Sequence, residues 1–302
     1  MNGMDKREYE PALQGLVAWA LREDVGGGDV TTERTVAPEQ RGRGRIVTRE
    51  RGVLAGWDAA EATFRAADAE LVVEPRHASG EALAEGACVA TISGRLRGIL
   101  IAERVALNFL QRLSGIATLT SRFCDALAGT GVRVLDTRKT TPGLRGLEKE
   151  AVRAGGGLNH RQGLYDAILI KENHITAAGG IETAIRRARG LPREETGGRA
   201  AQISGPLIVE VRDLEEVAVA LEASVDRILL DNFDPETLRA AVARITSVAP
   251  PRPQIEVSGG LRLENVRDFA IPGVDYVSIG ALTHSARALD LALDVEVEAE
   301  PA

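Results

Sequence analysis

The sequence predicts an α/β protein in two parts, a small antiparallel sheet followed by strand–helix repeats for which a (β/α) barrel is the first choice. Three observations predict it. Short strand-like runs broken by turn residues fill the stretch from Arg43 to about Ser93, a long apolar periodicity at three- and four-residue spacing follows, and beyond Gly131 six apolar runs alternate with helical segments. Strands that alternate with helices need crossover connections and so form a parallel sheet, buried on both sides.

Taken in order, the strand-like runs of the first half are "GRIVTRE", "ELVVEP" and "ACVATIS", separated by the turn signals "ASGE" and "AEGA". The segment "ILIAERVALNFLQRLSGIATLTSRFCDALAGTG" reads as two helices broken near Ser114–Gly115 and ended by Gly129 and Gly131. The later runs are "VRVLD" at 132–136, "AILIK" at 167–171, "LIVEV" at 207–211, "RILLD" at 227–231, "QIEVS" at 254–258 and "YVSIG" at 276–280. Between them "GLEKEAVRAGG", "GIETAIRRARG", "LEEVAVALEAS" and "PETLRAAVARI" carry helical spacing, and "PREETGGRAAQISG", 192–205, reads as a surface loop.

Composition limits what the chain does. Its 302 residues, 44% of them apolar, suffice for one large domain and a smaller one, and a net charge of −7 argues against a broad nucleic-acid surface. At 3% aromatic content there is no stacking surface for single strands, and Trp19, Trp57 and the five phenylalanines are expected in the core. Cys88 and Cys124 are too few for a disulfide framework or a cysteine zinc site, and indicate a reducing compartment. With neither a signal-peptide core nor a run of about 18 apolar residues, the expectation is a soluble, cytoplasmic protein with no membrane partner.

The strand ends carry the chemistry. Asp136 with Arg138 and Lys139, Lys171 with Glu172, Glu210 with Arg212, Asp231 with Asn232, Ser258 with Gly259 and Gly260, and Ser278 with Gly280 all stand at the C-terminal ends of the later runs. In a (β/α) barrel those ends converge on the face that holds the active site. Charged residues capping one exposed strand end are commonplace; four charged ends of six are less so. The cations Arg138, Lys139, Arg145, Arg161 and Lys171, with His160 beside them, suit a ligand bearing more than one anionic group, since arginine forks a carboxylate or phosphate and lysine acts as a point charge. Arg153 is assigned to an exposed helix face. "SGG" and "SIG" follow the last two runs, where a barrel places a phosphate cradle. Glu210 and Asp231 are candidates either for a divalent cation or for ion pairs with the nearby cations.

Together "ERVALNFLQRLSGIAT", "LDTRKTTPGLR", "GGGLNHR", "DAILIKENHI", "LLDN", "EVSGG" and "SIGALTHS" closely resemble the quinolinate phosphoribosyltransferase family, over nearly the whole chain from "DVGGGDVTT" to "THSA". The resemblance implies an N-terminal α/β sandwich domain with a linking helix (1–115), an incomplete six- or seven-stranded (β/α) barrel (116–285) and a C-terminal tail (286–302) that returns to the first domain. It also implies a homodimer. The implied reaction joins quinolinate to phosphoribosyl pyrophosphate with Mg²⁺, giving nicotinate mononucleotide, pyrophosphate and CO₂, with no organic cofactor. By position, Arg138, His160, Arg161 and Lys171 match the family's quinolinate pocket, with Arg104 supplied from the neighbouring subunit. Lys139, Glu210, Asp231, Ser258, Gly259, Gly260, Ser278 and Gly280 match the groups around phosphoribosyl pyrophosphate and its metal, and Lys139, Lys171, Glu210 and Asp231 are the expected catalytic set.

Two positions depart from the pattern: Arg212 stands where an acidic or neutral residue is expected, and Leu158 where a polar one is common. His77, His174 and His284 are read as structural. The rival readings are a Schiff-base aldolase using Lys171, a nicotinate phosphoribosyltransferase, and a non-catalytic anion-binding relative.

Overall fold

The computed structural model describes residues 6–190 and 205–298. In chain order α1 (Lys6–Val25), α2 (Val30–Thr35), β1 (Arg41–Thr48), β2 (Gly52–Val53), α3 (Trp57–Ala67), β3 (Val72–Pro75), β4 (Ala82–Leu83), β5 (Cys88–Arg95) and α4 (Leu96–Ala126) form the first half. They are followed by β6 (Arg133–Leu135), α5 (Arg145–Ala154), β7 (Ile168–Ile170), α6 (Glu172–Ala178), α7 (Ile181–Gly190), β8 (Leu207–Val211) and α8 (Leu214–Glu222). Then come β9 (Arg227–Asp231), α9 (Pro235–Thr246), β10 (Gln254–Ser258), β11 (Tyr276–Ser278), α10 (Ala281–His284) and β12 (Leu291–Val297). These elements make two units, one drawn from the chain up to Ser121, Thr140–Gly156 and the residues from Leu282 onward, the other from Arg122–Lys139 and Gly157–Ala281. The hydrophilic stretch 192–205 lies outside the described residues except for its last.

In the first unit, four antiparallel strands run in the order β12-β1-β5-β3. β1 alternates strictly at its start, with Arg41, Arg43 and Arg45 exposed and Gly42, Gly44 and Ile46 buried, so one face of the sheet is wet and the other packed. On the packed side Ile46, Val89 and Ile92 meet Trp57, Ala60 and Phe64 of α3 and Leu96, Ile99, Ala102 and Leu110 of α4. The strand β12, with Leu291 buried and its far end exposed, was hidden in the sequence because its seven residues hold only two acidic breaks and no turn signal.

Two expectations fail here. The apolar periodicity belongs to one helix, α4, of 31 residues, and not to two broken near Ser114–Gly115. A glycine inside a helix costs only about 1 kcal/mol. The buried face of α4, with Ile99, Leu110, Leu113 and Ile116 at 0–1% exposure, gains about 1.5–3 kcal/mol per side chain. The helix therefore runs through. Ser114 and Gly115 are packing residues instead: the Ser114 hydroxyl takes the Ala55 N–H at 3.0 Å, and a Cβ on Gly115 would fall 2.0 Å from the Arg287 carbonyl oxygen. Gly115→Ala is accordingly expected to lower the melting temperature, by about 1–3 kcal/mol of overpacking, where an exposed helical glycine would gain from the same change. The second failure is Trp19, which is 58% exposed on α1 and no part of the core; Trp57 is buried as expected.

The wholly buried Glu148 of α5 ties three segments of this unit together. It accepts hydrogen bonds from Arg112 Nε and Nη2 (3.2 and 2.9 Å) and from Thr141 N and Oγ1 (3.0 and 2.8 Å). Arg112 in turn donates to the carbonyls of Thr283 and Ala286. The loop after Thr140 is thus anchored to α4 by a charge that has no water to fall back on.

The second unit is a six-stranded parallel sheet in the order β6-β11-β10-β9-β8-β7. The last strand returns beside the first, and β6 and β7 remain as the two edges, with only a parallel bridge between Leu135 and Leu158 in the interval between them. All six runs read from the sequence are strands. Their faces are not equally apolar, however, as a sheet buried on both sides would require. The period of two puts Val134, Ile170, Val209, Leu230, Val257 and Val277 on one face, under helices such as α9, whose Leu238, Ala241, Val242 and Ile245 are buried at helical spacing. The other face holds a small apolar layer of Leu169, Ile208 and Leu229 between polar rows at each end of the sheet.

Candidate active site

Because the strands are parallel, their C-terminal ends share one edge of the sheet. Register fixes the order along it: Asp231 lies beside Ser258, Ser258 beside Ser278, and Ser278 beside Leu135, one residue before Asp136. The sequence-predicted residues of this unit therefore meet along one edge, and they fall into two groups.

The first group is acid and amine. Lys171, at the end of β7, is paired with Glu210 of β8. Burial and the facing Glu210 raise the Asp231 carboxyl above the ordinary aspartate range, against the opposing pull of Lys171, the Asn232 amide and Lys139. Two carboxylates and two ammonium groups thus share a small region. A carboxyl whose pKa is raised on folding costs stability when ionised, so the penalty is absent at acid pH and grows as the pH rises through the raised value. Asp231→Asn is expected to raise the melting temperature at neutral pH while abolishing turnover. The turn beside this group is tight: Asn232 adopts φ +57° and donates its N–H to the Ser258 carbonyl at 2.9 Å, and Gly259 (φ +97°) admits no Cβ, which would lie 2.1 Å from Asn232 Oδ1. Gly260 (φ +61°) continues the bare backbone.

The second group is built on Asp136, which is wholly buried at the end of β6. Its carboxylate accepts from Asn159 Nδ2 (2.6 Å) and from the His160 N–H (2.8 Å), so the loop carrying Asn159, His160 and Arg161 is pinned to the strand end. A second pin is Asp166, which takes the N–H groups of Gln162 and Gly163. Arg161 is half-buried, donates to the Ala167 carbonyl at 3.3 Å, and leaves Nε without a hydrogen-bond partner. Desolvation first, and then the neighbouring Arg138, lower its pKa, with Asp166 opposing. Two guanidinium groups held close enough to oppose each other's charge form a site prepared for an anion.

The remaining positions sort simply. Arg104 is exposed on α4 in the other unit, beside Glu103, whose carboxyl is pushed up by burial and eased by Arg104. Arg212, the departure from the family pattern, turns its guanidinium to Glu172 (3.0 Å) and Glu216 (3.1 Å). His174 accepts the Lys171 N–H at 3.0 Å and starts α6. Among the described residues no three His, Cys, Asp or Glu side chains gather as a metal cluster, so Glu210 and Asp231 offer two carboxylates and no more.

Sequence reasoning missed three residues beneath this edge. Glu256, wholly buried in the middle of β10, faces His160 Nε2 at 3.5 Å and Arg227 Nη1 at 3.1 Å, and the Arg227 guanidinium lies 4.3 Å above the Tyr276 ring. The signal was there, since Gln254, Glu256 and Ser258 recur at every second position of "QIEVS", but a reading of whole runs averages it away.

Comparison with known proteins agrees with this construction. The family model for the C-terminal domain of quinolinate phosphoribosyl transferase matches residues 116–294, and that for the N-terminal domain matches residues 29–114. The carboxylating nicotinate-nucleotide pyrophosphorylase of Mycobacterium leprae is 43% identical over 94% of this chain and 97% of its own. The probable enzyme of the same name from Bacillus subtilis is 40% identical over 95% of both. The crystal structure of NadC from Streptococcus pyogenes superposes with a TM-score of 0.87 at 37% identity, covering 99% of this chain and 100% of its own. Human nicotinic acid phosphoribosyltransferase, at 16% identity and a TM-score of 0.61 over 96% of this chain and 75% of its own, shares the fold alone. Matched by both domain models and by relatives along its length, the chain belongs to the quinolinate phosphoribosyltransferase family.

Proposed function

We propose that this protein transfers the phosphoribosyl group of phosphoribosyl pyrophosphate to quinolinate and releases CO₂, forming nicotinate mononucleotide and pyrophosphate in the de novo route to NAD. The observation that carries this reading is Arg161, half-buried with its Nε without a hydrogen-bond partner and with the guanidinium of Arg138 as its neighbour, an arrangement that a carboxylate completes. Lys171, at the end of β7, is paired with the carboxylate of Glu210. Lys139 and the Ser258–Gly260 turn supply charge and bare backbone for the phosphates, with Ser278 and Gly280 on the neighbouring strand.

The chemistry follows from these placements. The ring nitrogen of quinolinate displaces pyrophosphate at the anomeric carbon, which becomes cationic as the bond to pyrophosphate lengthens. Glu210 and Asp231 sit where carboxylates stabilise that charge, and Lys139 opposes the charge gathering on the leaving oxygens. Once the nitrogen is quaternised, the carboxylate at the adjacent carbon departs as CO₂. Its bonding electrons stay at that carbon, stabilised by the pyridinium, until a proton is taken up. Glu210 and Asp231 also suit Mg²⁺, since two carboxylates completed by substrate phosphates and water are its usual company; when bound it would neutralise the pyrophosphate. We further read the protein as cytoplasmic, with both cysteines free, and as a homodimer.

Incubation with phosphoribosyl pyrophosphate and either quinolinate or nicotinate, with product and CO₂ followed, tests the reading. Quinolinate is expected to react and nicotinate to be rejected by about 10³-fold or more, because a missing carboxylate leaves the half-buried guanidinium groups without a counter-charge. Equal turnover of the two acids would overturn it, and a borohydride-trapped adduct on Lys171 would favour the aldolase.

A further inference from the structure

Beneath the substrate edge, on the same face of the sheet, lies a polar column that the reaction as described does not use. Glu256 has no exposure at all, and its carboxylate is shared by Arg227 Nη1 (3.1 Å from Oε2) and His160 Nε2 (3.5 Å from Oε1). Arg227 is itself immobilised: its Nε and Nη2 donate to Gln254 Oε1 (3.3 and 3.0 Å), and its plane rests on Tyr276. Burial opposes ionisation of Glu256, yet His160, Arg227 and Ser278 together hold its carboxyl below the ordinary glutamate range. A buried ion pair of this kind is an expensive way to fill a core, since apolar residues of the same volume usually serve stability as well or better. Toward the site it meets Ser278 and His160, and of these His160 is the one in the loop of the arginine pocket.

The imidazole is hydrogen-bonded at Nδ1 and faces the Glu256 carboxylate with Nε2. Its Nδ1 lies 2.7 Å from the Arg161 N–H. A nitrogen that accepts a hydrogen bond carries no proton, so the proton of the neutral ring is on Nε2, which faces Glu256 Oε1 at 3.5 Å with no hydrogen bond formed between the two. The opposite tautomer would set Nδ1–H against the Arg161 N–H and turn a lone pair toward a buried carboxylate, two conflicts at once. We infer that Glu256, clamped by Arg227, is a positioning residue that favours the Nε2–H tautomer of His160 and through it sets the main chain of Arg161, so that the buried pair shapes the dicarboxylate pocket from beneath. Asp136 completes the arrangement from the other side by holding the His160 N–H at 2.8 Å. Only the kinetic consequence of this inference rests on the proposed reaction.

Two measurements test it. Long-range ¹H–¹⁵N spectra of histidine-labelled protein, with the His160 signals assigned by their loss in His160→Gln, should show the neutral Nε2–H tautomer near neutral pH, and Glu256→Gln should lose that preference. A protonated ring or the Nδ1–H tautomer in the wild type would overturn the inference. In steady-state kinetics Glu256→Gln should raise the KM for quinolinate about tenfold or more while leaving that for phosphoribosyl pyrophosphate within about twofold. Because Glu256→Gln strands the Arg227 charge and lowers stability, the double variant Glu256→Gln/Arg227→Met is the control: it should recover the melting temperature but not the quinolinate KM. Recovery of both together would make the pair a mere packing element and refute the positioning role. The spectra need no substrate, so a chain inert toward quinolinate would sink the proposed reaction while the tautomer still decided this inference.

Discussion

Arg138→Ala and Arg161→Ala are each expected to lower kcat/KM for quinolinate by on the order of 10²-fold, since truncating one member of a desolvated charge pair costs about 3 kcal/mol. Lys139→Ala should act instead on phosphoribosyl pyrophosphate. What separates this from general damage is the behaviour of the substrate-free protein. Arg138 depresses the Arg161 pKa, so removing it relieves a repulsion, and the melting temperature of Arg138→Ala should hold or rise while quinolinate binding falls. A melting temperature that dropped in step with activity in all three variants would return these residues to a structural role. Initial-rate kinetics in both substrates, read beside thermal melts, make the distinction.

The strand ends were legible because their charges interrupt apolar runs at the point where a parallel sheet stops, and Asp136, Lys171, Glu210, Asp231 and Ser258 all stand at such a break. What the sequence hid has physical reasons. Glu256 and Arg227 lie within runs, and a residue whose charge is cancelled by a distant partner looks like noise in a hydrophobic average. Gly115 reads locally as a helix breaker; its purpose is the passage of the Arg287 backbone, some 170 residues away in the chain, which no local pattern carries. Trp19 was assigned to the core on size and apolarity alone, and solvent exposure of a single large side chain is a fact of context. Arg212 looked like a disturbance beside Glu210, but its guanidinium is taken up by Glu172 and Glu216.

Mixing Arg104→Ala with Lys171→Ala is expected to restore activity that neither variant has alone. Arg104 belongs to the first unit and Lys171 to the second, and the proposed dimer gives each site one residue from each subunit. In a mixed pair one site then carries both defects and the other carries none. Random exchange makes half the dimers mixed, so recovery should approach roughly a quarter of the wild-type rate for a two-fold symmetric dimer. Heterodimers seen by native mass spectrometry without recovered activity would place Arg104 in its own subunit's site or outside catalysis.

The pairing of β12 with β1 bears on how the chain emerges from the ribosome. The first unit takes its sheet edge from residues 291–297, and Gln111 and Arg112 of α4 hold the carbonyls of Leu291, Thr283 and Ala286. That sheet cannot be completed until residues 291–297, which follow the whole of the second unit, have been synthesised. Until then β1 presents an unpaired edge, lined on its outward side by Arg41, Arg43 and Arg45. Clustered positive charge on an open strand is one of the devices that keep like edges from joining. Arg41, Arg43 and Arg45 put charges of that kind on the one strand whose neighbour, β12, is made last among the strands.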